Sequence, residues 1–524
     1  MERTFLIFVL TVFCLTPHIS CQEAVLRISN GSSYLEYCLL YNGSLTPLPP
    51  TVDAAVQILL VNLTSSLLCD PSGVSPELVK GKAVVVMRGV CEFQQKAVVA
   101  QSVGAAALLI ASNTTLFTPS FNESESEKIQ IPVGLIRQRD FLEANQVFGE
   151  SMEVRLYAPV QPQIDPSIFV MLLIAVLTVA LGSYWSGASE RDRLNEGPPL
   201  GGSGDSKADS RELFVYSPLR VLMMVAAMCG MLLLMYFFYN ILVYFFIAIF
   251  ALASATSLFS CFDAVLDLLH CPRGSFSVRS RSFSVRSLIL AAVCVSISVV
   301  WVVYRNDDRW VWILHDLLGI AFCLNFIKTI SLSNFKVCVV LLSLLLVYDV
   351  FFVFITPFFT KDGESIMVQV ALGPGASGEK AQGNTVELPA EPPAPLEKLP
   401  VVMRVPRFTS WPLRACGMQF SILGYGDIIV PGLLVAYCSR FDVWINSRRK
   451  VYFVSCCIAY LLGMIATFAA MLLSGMGQPA LLYLVPFTLI TSAVVAGCRK
   501  EMRHFWSGTT YEVLDSPREP LLPE

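Results

Sequence analysis

Two aspartates lie inside strongly apolar stretches of the sequence, where a carboxylate is costly. Asp349 is part of the run LLLVYDVFFVF at residues 344–354, and Asp427 is part of SILGYGDIIVPG at residues 421–432. A carboxylate near the middle of a membrane-spanning helix costs about 2.5–3.5 kcal/mol on insertion scales. Two buried carboxyl groups in close proximity share one proton, so one acts as a base toward water and the other as an acid toward a carbonyl oxygen. This is the chemistry by which aspartic peptidases hydrolyse peptide bonds.

The composition indicates that a membrane surrounds these acids. Of the 524 residues, 55% are hydrophobic and 15% are charged, whereas about a quarter of the residues of a soluble globular chain are charged. The net charge of −3 gives no reason to expect a nucleic-acid partner. We therefore expect a polytopic α-helical membrane protein that works within the lipid bilayer.

Nine apolar segments follow residue 166, each near the roughly 20 residues that cross a bilayer as a helix. The first five fall within residues 166–335, and the last four, which contain both acids, within 336–498. The predicted spans are 167–185, 219–239, 241–262, 287–304, 310–329, 336–358, 411–433, 451–473 and 478–498.

Positive charges between the spans predict the orientation. Cytosolic loops of membrane proteins are enriched in Lys and Arg, and alternate loops here carry the basic residues. This pattern predicts a lumenal N-terminus, a cytosolic linker at 194–211, a long lumenal loop at 359–410 and a cytosolic tail at 499–524. The basic residues on the predicted cytosolic side are Arg191, Arg193, Lys207, Arg211, Arg273, Arg279, Arg281, Arg286, Lys328, Lys336, Arg440, Arg448, Arg449, Lys450, Arg499, Lys500 and Arg503.

The N-terminal region has the features of a secreted segment. Residues 1–21 contain Arg3, an apolar stretch too short to span a membrane, and small residues near Cys21, as in a cleaved signal peptide. Residues 22–165 should then be a glycosylated lumenal region in which two of three cysteines (Cys38, Cys69, Cys91) form one disulfide and one thiol is left over. Asn-x-Ser/Thr sequons are confined to this part of the chain, at Asn30, Asn42, Asn62, Asn113 and Asn122.

One stretch of the lumenal region predicts a βαβ unit. We expect strands at 83–87 and 106–111, a helix at 92–103 between them, and a break at Gly104. Residues from about 55 to 150 resemble the α/β protease-associated domain found beside many peptidases, which implies a module that contacts or covers substrate. The resemblance is carried by Arg88, Gly89, Cys91, Phe93, Lys96, Gly104 and Ala105.

Three short motifs accompany the two acids along the chain. Tyr348 precedes Asp349, and two glycines precede Asp427, where they loosen the helix and let another backbone approach. The third motif opens the ninth span, where a proline is tolerated because its missing N–H would be unpaired anyway. These residues are Tyr348, Gly424, Gly426, Pro479, Ala480 and Leu481.

Taken in this order, the motifs resemble those of the GxGD intramembrane aspartyl proteases, the presenilin and signal peptide peptidase family. The signal sequence, the lumenal domain and nine spans resemble subfamily 2 of the signal peptide peptidase-like proteins. The resemblance implies a presenilin-like fold with Asp349 and Asp427 as the catalytic pair. It also implies that the other motif residues shape the active site around them. It also implies hydrolysis of type II single-pass membrane proteins within their transmembrane segments, without a metal or cofactor. Tyr425, the variable residue of GxGD, is expected to affect substrate preference.

Two other functions remain open. The buried acids could serve an acid-dependent ion or proton transporter, although the paired half-repeats expected of secondary transporters are not evident. A catalytically inactive sorting receptor with a lumenal binding module is the other alternative. His315 and Asp316 in span five could form a polar pair, but packing or loop anchoring is the favoured interpretation.

The tail carries a possible sorting signal. Residues Tyr511 to Leu514 read YEVL, a Tyr-x-x-apolar pattern that adaptor proteins bind, which predicts a late endosomal or lysosomal location. Plasma membrane, Golgi and endoplasmic reticulum remain open, because such a pattern also occurs by chance in a tail without a signal. The sequence also leaves open whether the chain forms a homo-oligomer.

Overall fold

The structure is a computed structural model, and it describes most of the chain between residues 22 and 508. Several predicted features lie outside the described residues: the signal peptide 1–21, the sequon at Asn122, the tail residues Tyr511 and Leu514, and most of the linker 194–211 and of the loop 359–410. The described ranges are 22–31, 33–43, 46–71, 74–113, 129–149, 151–160, 164–196, 218–270, 275–278, 281–307, 309–360, 365–367, 370, 397–408, 416, 419–474 and 477–508.

The chain divides into two compact units, and the first is built on a closed barrel of seven strands. Around the barrel the strand order is β1-β2-β6-β5-β4-β3-β7; β3, β4, β5 and β6 run parallel to one another, and the remaining pairs are antiparallel. The elements are β1 (Gln22–Asn30), β2 (Ser33–Tyr41), β3 (Ile58–Asn62), α1 (Pro76–Val79), β4 (Ala83–Met87), α2 (Phe93–Ser102), β5 (Ala107–Ser112), β6 (Val133–Arg137), α3 (Gln138–Phe148) and β7 (Met152–Tyr157).

The predicted βαβ unit is confirmed as β4, α2 and β5. Parallel strands covered on both faces are apolar at nearly every position, and this explains why Ala83–Met87 has no alternation. Val85 packs into one apolar cluster, and its neighbours Val84 and Val86 pack into another, with α2. Gly104 makes the turn from α2 toward β5 with a φ of +84°, a conformation that glycine adopts without strain.

The predicted disulfide pattern is wrong in part. Cys69 pairs with Cys91, but Cys38 is not left over, because it pairs with Cys416. The predicted seventh span, 411–433, is largely apolar and includes Cys416. In the structure Cys416 belongs to the first unit, together with residues 407–419.

The second unit is a bundle of helices. Among the residues that the structure describes, seven helices are long and apolar enough to cross a membrane, in keeping with a multi-pass membrane protein. Two more correspond to the second and seventh predicted spans: α5, whose described apolar part is Leu222–Phe237, and α10, whose 20 residues include three charged ones. The helices are α4 (Pro166–Glu196), α5 (Pro218–Phe237), α6 (Tyr239–Leu268), α7 (Val285–Tyr304), α8 (Val311–Thr329), α9 (Phe335–Val350), α10 (Tyr425–Trp444), α11 (Val451–Ser474), α12 (Leu481–Cys498) and α13 (Met502–Ser507).

Two antiparallel hairpins complete the unit. Strands β8 (Ser275–Val278) and β9 (Arg281–Ser284) pair between α6 and α7, and β10 (Val402–Pro406) pairs with β11 (Phe420–Gly424) directly before α10. The second hairpin corrects the seventh predicted span, since residues 420–424 form a strand and the helix begins at Tyr425, not at 411. The helix also extends past 433, so Arg440 lies inside α10, buried, and donates to Ser186 Oγ over 2.8 Å. A loop position for Arg440 was therefore wrong.

Candidate active site

Asp349 lies in the last turn of α9, where the helix changes its geometry. Regular α-helix ends at Val350 and continues as a π-helical turn over Phe351–Ile355 and a 3₁₀ turn over Thr356–Phe358. Single π-turns of this kind occur frequently at functional sites. The Asp349 side chain is buried, and its Oδ2 accepts a hydrogen bond from the main-chain N–H of Leu481 over 3.1 Å. The third motif thus contacts the first acid directly.

Asp427 lies in the first turn of α10, for which Gly424 is the N-cap. It is the third residue of the helix, a position from which a carboxylate folds back toward the cap. A Cβ atom added at Gly424 would lie 3.3 Å from Asp427 Oδ2, closer than most real contacts. The first glycine of the motif therefore leaves room for the carboxylate.

Gly426 has a different environment from Gly424. It is exposed, and a Cβ atom built on it would meet nothing within 4 Å. Asp427 beside it is only half-buried by its solvent-accessible area. Open space next to a carboxylate is what a water molecule and a peptide bond require.

The two carboxyl groups act on each other electrostatically. The negative charge that influences Asp427 is that of Asp349, although the two acids lie on different helices, α9 and α10. Two interacting carboxyl groups in a site of low polarity hold one proton between them. Such an arrangement can supply an acid and a base from two identical groups.

The packing of α12 against α11 brings the Pro479-Ala480-Leu481 segment to the site. Pro479 precedes the helix, which begins at Leu481, as expected for an unwound start. A Cβ atom on Gly463 of α11 would lie 3.2 Å from Leu484 Cα, so this glycine lets the first turn of α12 approach closely. Tyr460 also belongs to α11, and its hydroxyl donates to the main-chain oxygen of Asp427 over 3.3 Å.

His315 and Asp316 on α8 anchor a strand, which is the interpretation that the sequence favoured. His315 Nε2 donates to the main-chain oxygen of Val402 over 2.8 Å, and Asp316 Oδ1 accepts from the main-chain N–H of Arg404 over 2.9 Å. Tyr425 is only 5% exposed, because its side chain packs into the helix bundle. Any effect of Tyr425 on substrate preference must therefore be indirect.

The asparagines of four of the five predicted glycosylation sequons are described residues. Asn30, Asn62 and Asn113 are exposed and Asn42 is half-buried; Asn62 Oδ1 also accepts from the Thr64 main-chain N–H over 3.0 Å. Over the part of the chain that the structure describes, no three His, Cys, Asp or Glu side chains are grouped to hold a metal ion.

Sequence reasoning missed three contributors to the site. They are the main-chain N–H of Leu481 as a donor, Tyr460, and Gly319, whose missing side chain makes room for Tyr425. A main-chain donor has no residue type of its own, and single Tyr or Gly residues in apolar helices are common. The sequence alone carries no signal that would have singled them out.

Comparisons with known proteins agree with the geometry. The family model described as "Signal peptide peptidase" matches residues 208–512, and the model described as "PA domain" matches residues 56–144. Signal peptide peptidase-like 2A of Homo sapiens is 47% identical over 497 residues, covering 95% of this chain and 92% of that protein. The Mus musculus protein of the same name is 45% identical over 506 residues, covering 96% and 93%. Signal peptide peptidase-like 2B of Gallus gallus is 44% identical over 515 residues, covering 97% and 83%.

Proposed function

The chain belongs to the signal peptide peptidase family, whose members are intramembrane proteases, and we propose that it is an active aspartic endopeptidase with Asp349 and Asp427 as its catalytic pair. Its substrates are single-pass type II membrane proteins, cleaved within the transmembrane segment to release a cytosolic fragment. The type II preference rests on the resemblance of the motifs to this family.

One observation carries the proposal. A buried carboxylate, Asp349, receives the Leu481 main-chain N–H and interacts electrostatically with a second acid, Asp427, which borders open space at Gly426. A purely structural acid would be enclosed by its partners. Here the second acid is left accessible on the side where a peptide bond could approach.

The reaction follows from one proton shared by two carboxyl groups. The ionised acid takes a proton from water, and the resulting hydroxide attacks the carbonyl carbon while the protonated acid gives its proton to the carbonyl oxygen. The tetrahedral diol collapses when the acid that took the proton from water gives it to the amide nitrogen, the C–N bond breaks, and the other acid, now ionised, takes a proton from a diol hydroxyl. The amine is the leaving group, the other product is a new carboxyl terminus, and the pair returns to its one-proton state.

The hairpin before α10 offers a way to hold an unwound substrate. A peptide bond in a straight helix is shielded by its own hydrogen bonds, so the substrate must become extended before it is cut. Strand β11 pairs with β10 in a two-stranded sheet and ends at Gly424. An extended segment could add to the outer edge of β11, since main-chain pairing along a sheet edge is a common mode of peptide binding.

We also propose that the barrel is lumenal and glycosylated and that the tail is cytosolic, with a late endosomal or lysosomal location. The exposure of Asn30, Asn62 and Asn113 supports glycosylation. Replacing each of these by Gln should remove one glycan, so each variant should migrate faster on a gel than wild type, and endoglycosidase treatment should abolish the difference. Unchanged mobility in all three variants would contradict a lumenal barrel.

The central experiment is cleavage in a purified system. The full-length protein, reconstituted in liposomes with a single-pass type II substrate, should release a fragment that begins or ends within the transmembrane segment. Asp349→Ala and Asp427→Ala proteins serve as matched controls, together with a transition-state isostere that carries a hydroxyl group. Cleavage by wild type that neither substitution nor the isostere reduces would refute the assignment.

The same liposomes discriminate the two alternatives. Ion flux that follows a pH gradient, without any cleavage, would indicate the transporter. Tight binding of lumenal ligands by the barrel, with neither cleavage nor flux, would indicate the inactive receptor.

A further inference from the structure

The β10–β11 hairpin, which precedes Asp427, is held along one edge by α8, a helix that carries no proposed catalytic group. Strand β10 pairs with β11 through the odd-numbered residues of β10, as shown by the Tyr425 N–H donating to the Val401 oxygen over 3.1 Å. The main-chain groups of Val402 and Arg404 therefore point away from β11. These are the groups that His315 and Asp316 of α8 engage.

The two side chains act together in the place of a third strand. His315 gives one hydrogen bond to an outward carbonyl, and Asp316 takes one from an outward N–H two residues along the same edge, as a neighbouring strand would. Because the acceptor is a carbonyl oxygen, His315 Nε2 carries the proton. Both side chains are about 95% buried, so these bonds do not compete with water.

A steric contact fixes the end of β11 against the same helix. A Cβ atom on Gly319 of α8 would lie 1.9 Å from the Tyr425 hydroxyl oxygen and 2.2 Å from the adjoining ring carbon. Tyr425 therefore occupies the space that glycine leaves. Its ring also lies near His315, with centroids 6.2 Å apart, and is stacked on Phe250. Tyr425 is two residues before Asp427.

We propose that His315, Asp316 and Gly319 are positioning residues, which hold the β10–β11 hairpin and Tyr425 so that Asp427 stays in register with Asp349. The inference rests on the proposed function and deepens it. None of the three touches the reacting atoms. They act through the hairpin, and displacement of a catalytic group by about 1 Å can cost about 100-fold in rate.

The test compares disruptive and conservative changes in the full-length protein. His315→Leu and Asp316→Leu should each lower kcat by about 10- to 100-fold with KM changed less than about twofold. His315→Gln can still donate and Asp316→Asn can still accept, so these variants should keep most of the activity. Asn325→Leu is the matched control: it removes a polar α8 side chain that bonds Ser257, away from the hairpin, and should leave kcat unchanged.

Gly319 provides an independent size test. Gly319→Ala should lower kcat, and adding Tyr425→Leu, which removes the atoms that clash, should restore part of it. A general loss of stability would instead lower the unfolding temperature of all α8 variants alike. Loss of kcat in His315→Leu equal to that in His315→Gln, or no recovery in the double variant, would overturn the inference.

Hydrogen–deuterium exchange separates this inference from the proposed function. In the His315→Leu and Asp316→Leu proteins, residues 401–406 and 420–427 should exchange faster than in wild type, whether or not wild type cleaves the substrate. If wild type is inactive but exchange accelerates, the proposed function falls and the anchoring stands. If wild type is active and neither exchange nor kcat changes in these variants, the positioning role is wrong.

Discussion

Leu481 gives its main-chain N–H to Oδ2 of Asp349 over 3.1 Å, although 132 residues separate them in sequence. The donor belongs to the first residue of α12, where helix N–H groups have no partner within the helix and the helix dipole favours negative charge. The Pro-Ala-Leu motif therefore contributes a main-chain atom to the site. We therefore expect the contribution of Leu481 to depend on the position of its main chain, which lies just after Pro479 and Ala480 at the start of the helix.

Removal of that N–H should slow catalysis. Leucic acid incorporated at position 481 replaces the amide by an ester, keeps the side chain and deletes the donor. A hydrogen bond to a charged group contributes about 1.5–3 kcal/mol, and about 1.4 kcal/mol corresponds to a tenfold change in rate, so we expect kcat to fall by about 10- to 100-fold. The same ester exchange at Ile490, an exposed residue of α12, is the control. Equal losses at both positions would mean that the helix, not the donor, is responsible.

Removal of either catalytic acid should abolish cleavage. Asp349→Ala and Asp427→Ala should each have no measurable activity, and the double variant should be no worse than either single one, since residues that act as a unit are not additive. Wild-type activity should follow a bell-shaped pH curve, because one acid must hold a proton and the other must lack it. A correctly inserted Asp349→Ala protein that cleaves at a near-normal rate would disprove the pair.

The two glycines before Asp427 should differ in kinetics. In Gly424→Ala, the new methyl group lies against Asp427 Oδ2, so kcat should fall by about 10- to 100-fold. In Gly426→Ala, the methyl group meets open space in the free protein, so the defect should appear mainly in KM, when substrate fills that space. Gly497→Ala, also facing open space but distant in the chain, should behave as wild type. Matching kinetic defects in the two variants would argue against separate roles.

The barrel should become more stable as the pH rises above 8. Burial lowers the pKa of Lys96 from its ordinary value of 10.5 to about 8, and its Nζ donates to the Leu67 main-chain oxygen. Between about pH 8 and pH 10.5, Lys96 is protonated in the unfolded chain but not in the folded barrel, so the free energy of unfolding rises with pH. Below pH 8 both states are protonated and the slope disappears. Lys96→Met should abolish this dependence of the free energy of unfolding on pH, which hydrogen exchange of the barrel amides measures. A dependence that persists in the variant would mean that another group is responsible.

The tail prediction concerns transport. Tyr511→Ala should shift the protein from late endosomes to the cell surface, because adaptor binding requires the tyrosine. Surface biotinylation measures the shift, and Leu514→Ala should give the same result. Ser516→Ala, next to the motif but outside it, is the control. An unchanged distribution in the first two variants would leave the motif without a role.

The sequence predicted the parts of the molecule whose signal is local. An acid in an apolar run is visible in eleven residues around Asp349, and parallel strands with a helix between them are visible in 83–112. The π-helical turn after Asp349 was not predicted, since FFVFI by itself also fits a regular helix; the available signal is Pro357 in the next turn, which lacks an N–H for a helical hydrogen bond.

Long-range pairing accounts for the errors. The run 411–433 is apolar enough to be a helix, but its middle forms a strand because β10 lies beside it and His315 and Asp316 cover the other edge of β10. Likewise, Cys38 finds its partner in a segment that composition assigns to the membrane. Hydrophobicity determines where a segment is buried, and distant partners determine its conformation.

The Cys38–Cys416 bond, with its sequence separation of 378, also closes the chain into a covalent ring. The ring contains the barrel strands from β2 onward and the first six predicted spans, including Asp349, while Asp427 lies on the chain that leaves it. A single proteolytic cut anywhere between residues 38 and 416 therefore opens the ring without dividing the molecule. After a cut between Asp349 and Cys416, the fragments that carry Asp349 and Asp427 would therefore run as one band without reductant and as two bands with it.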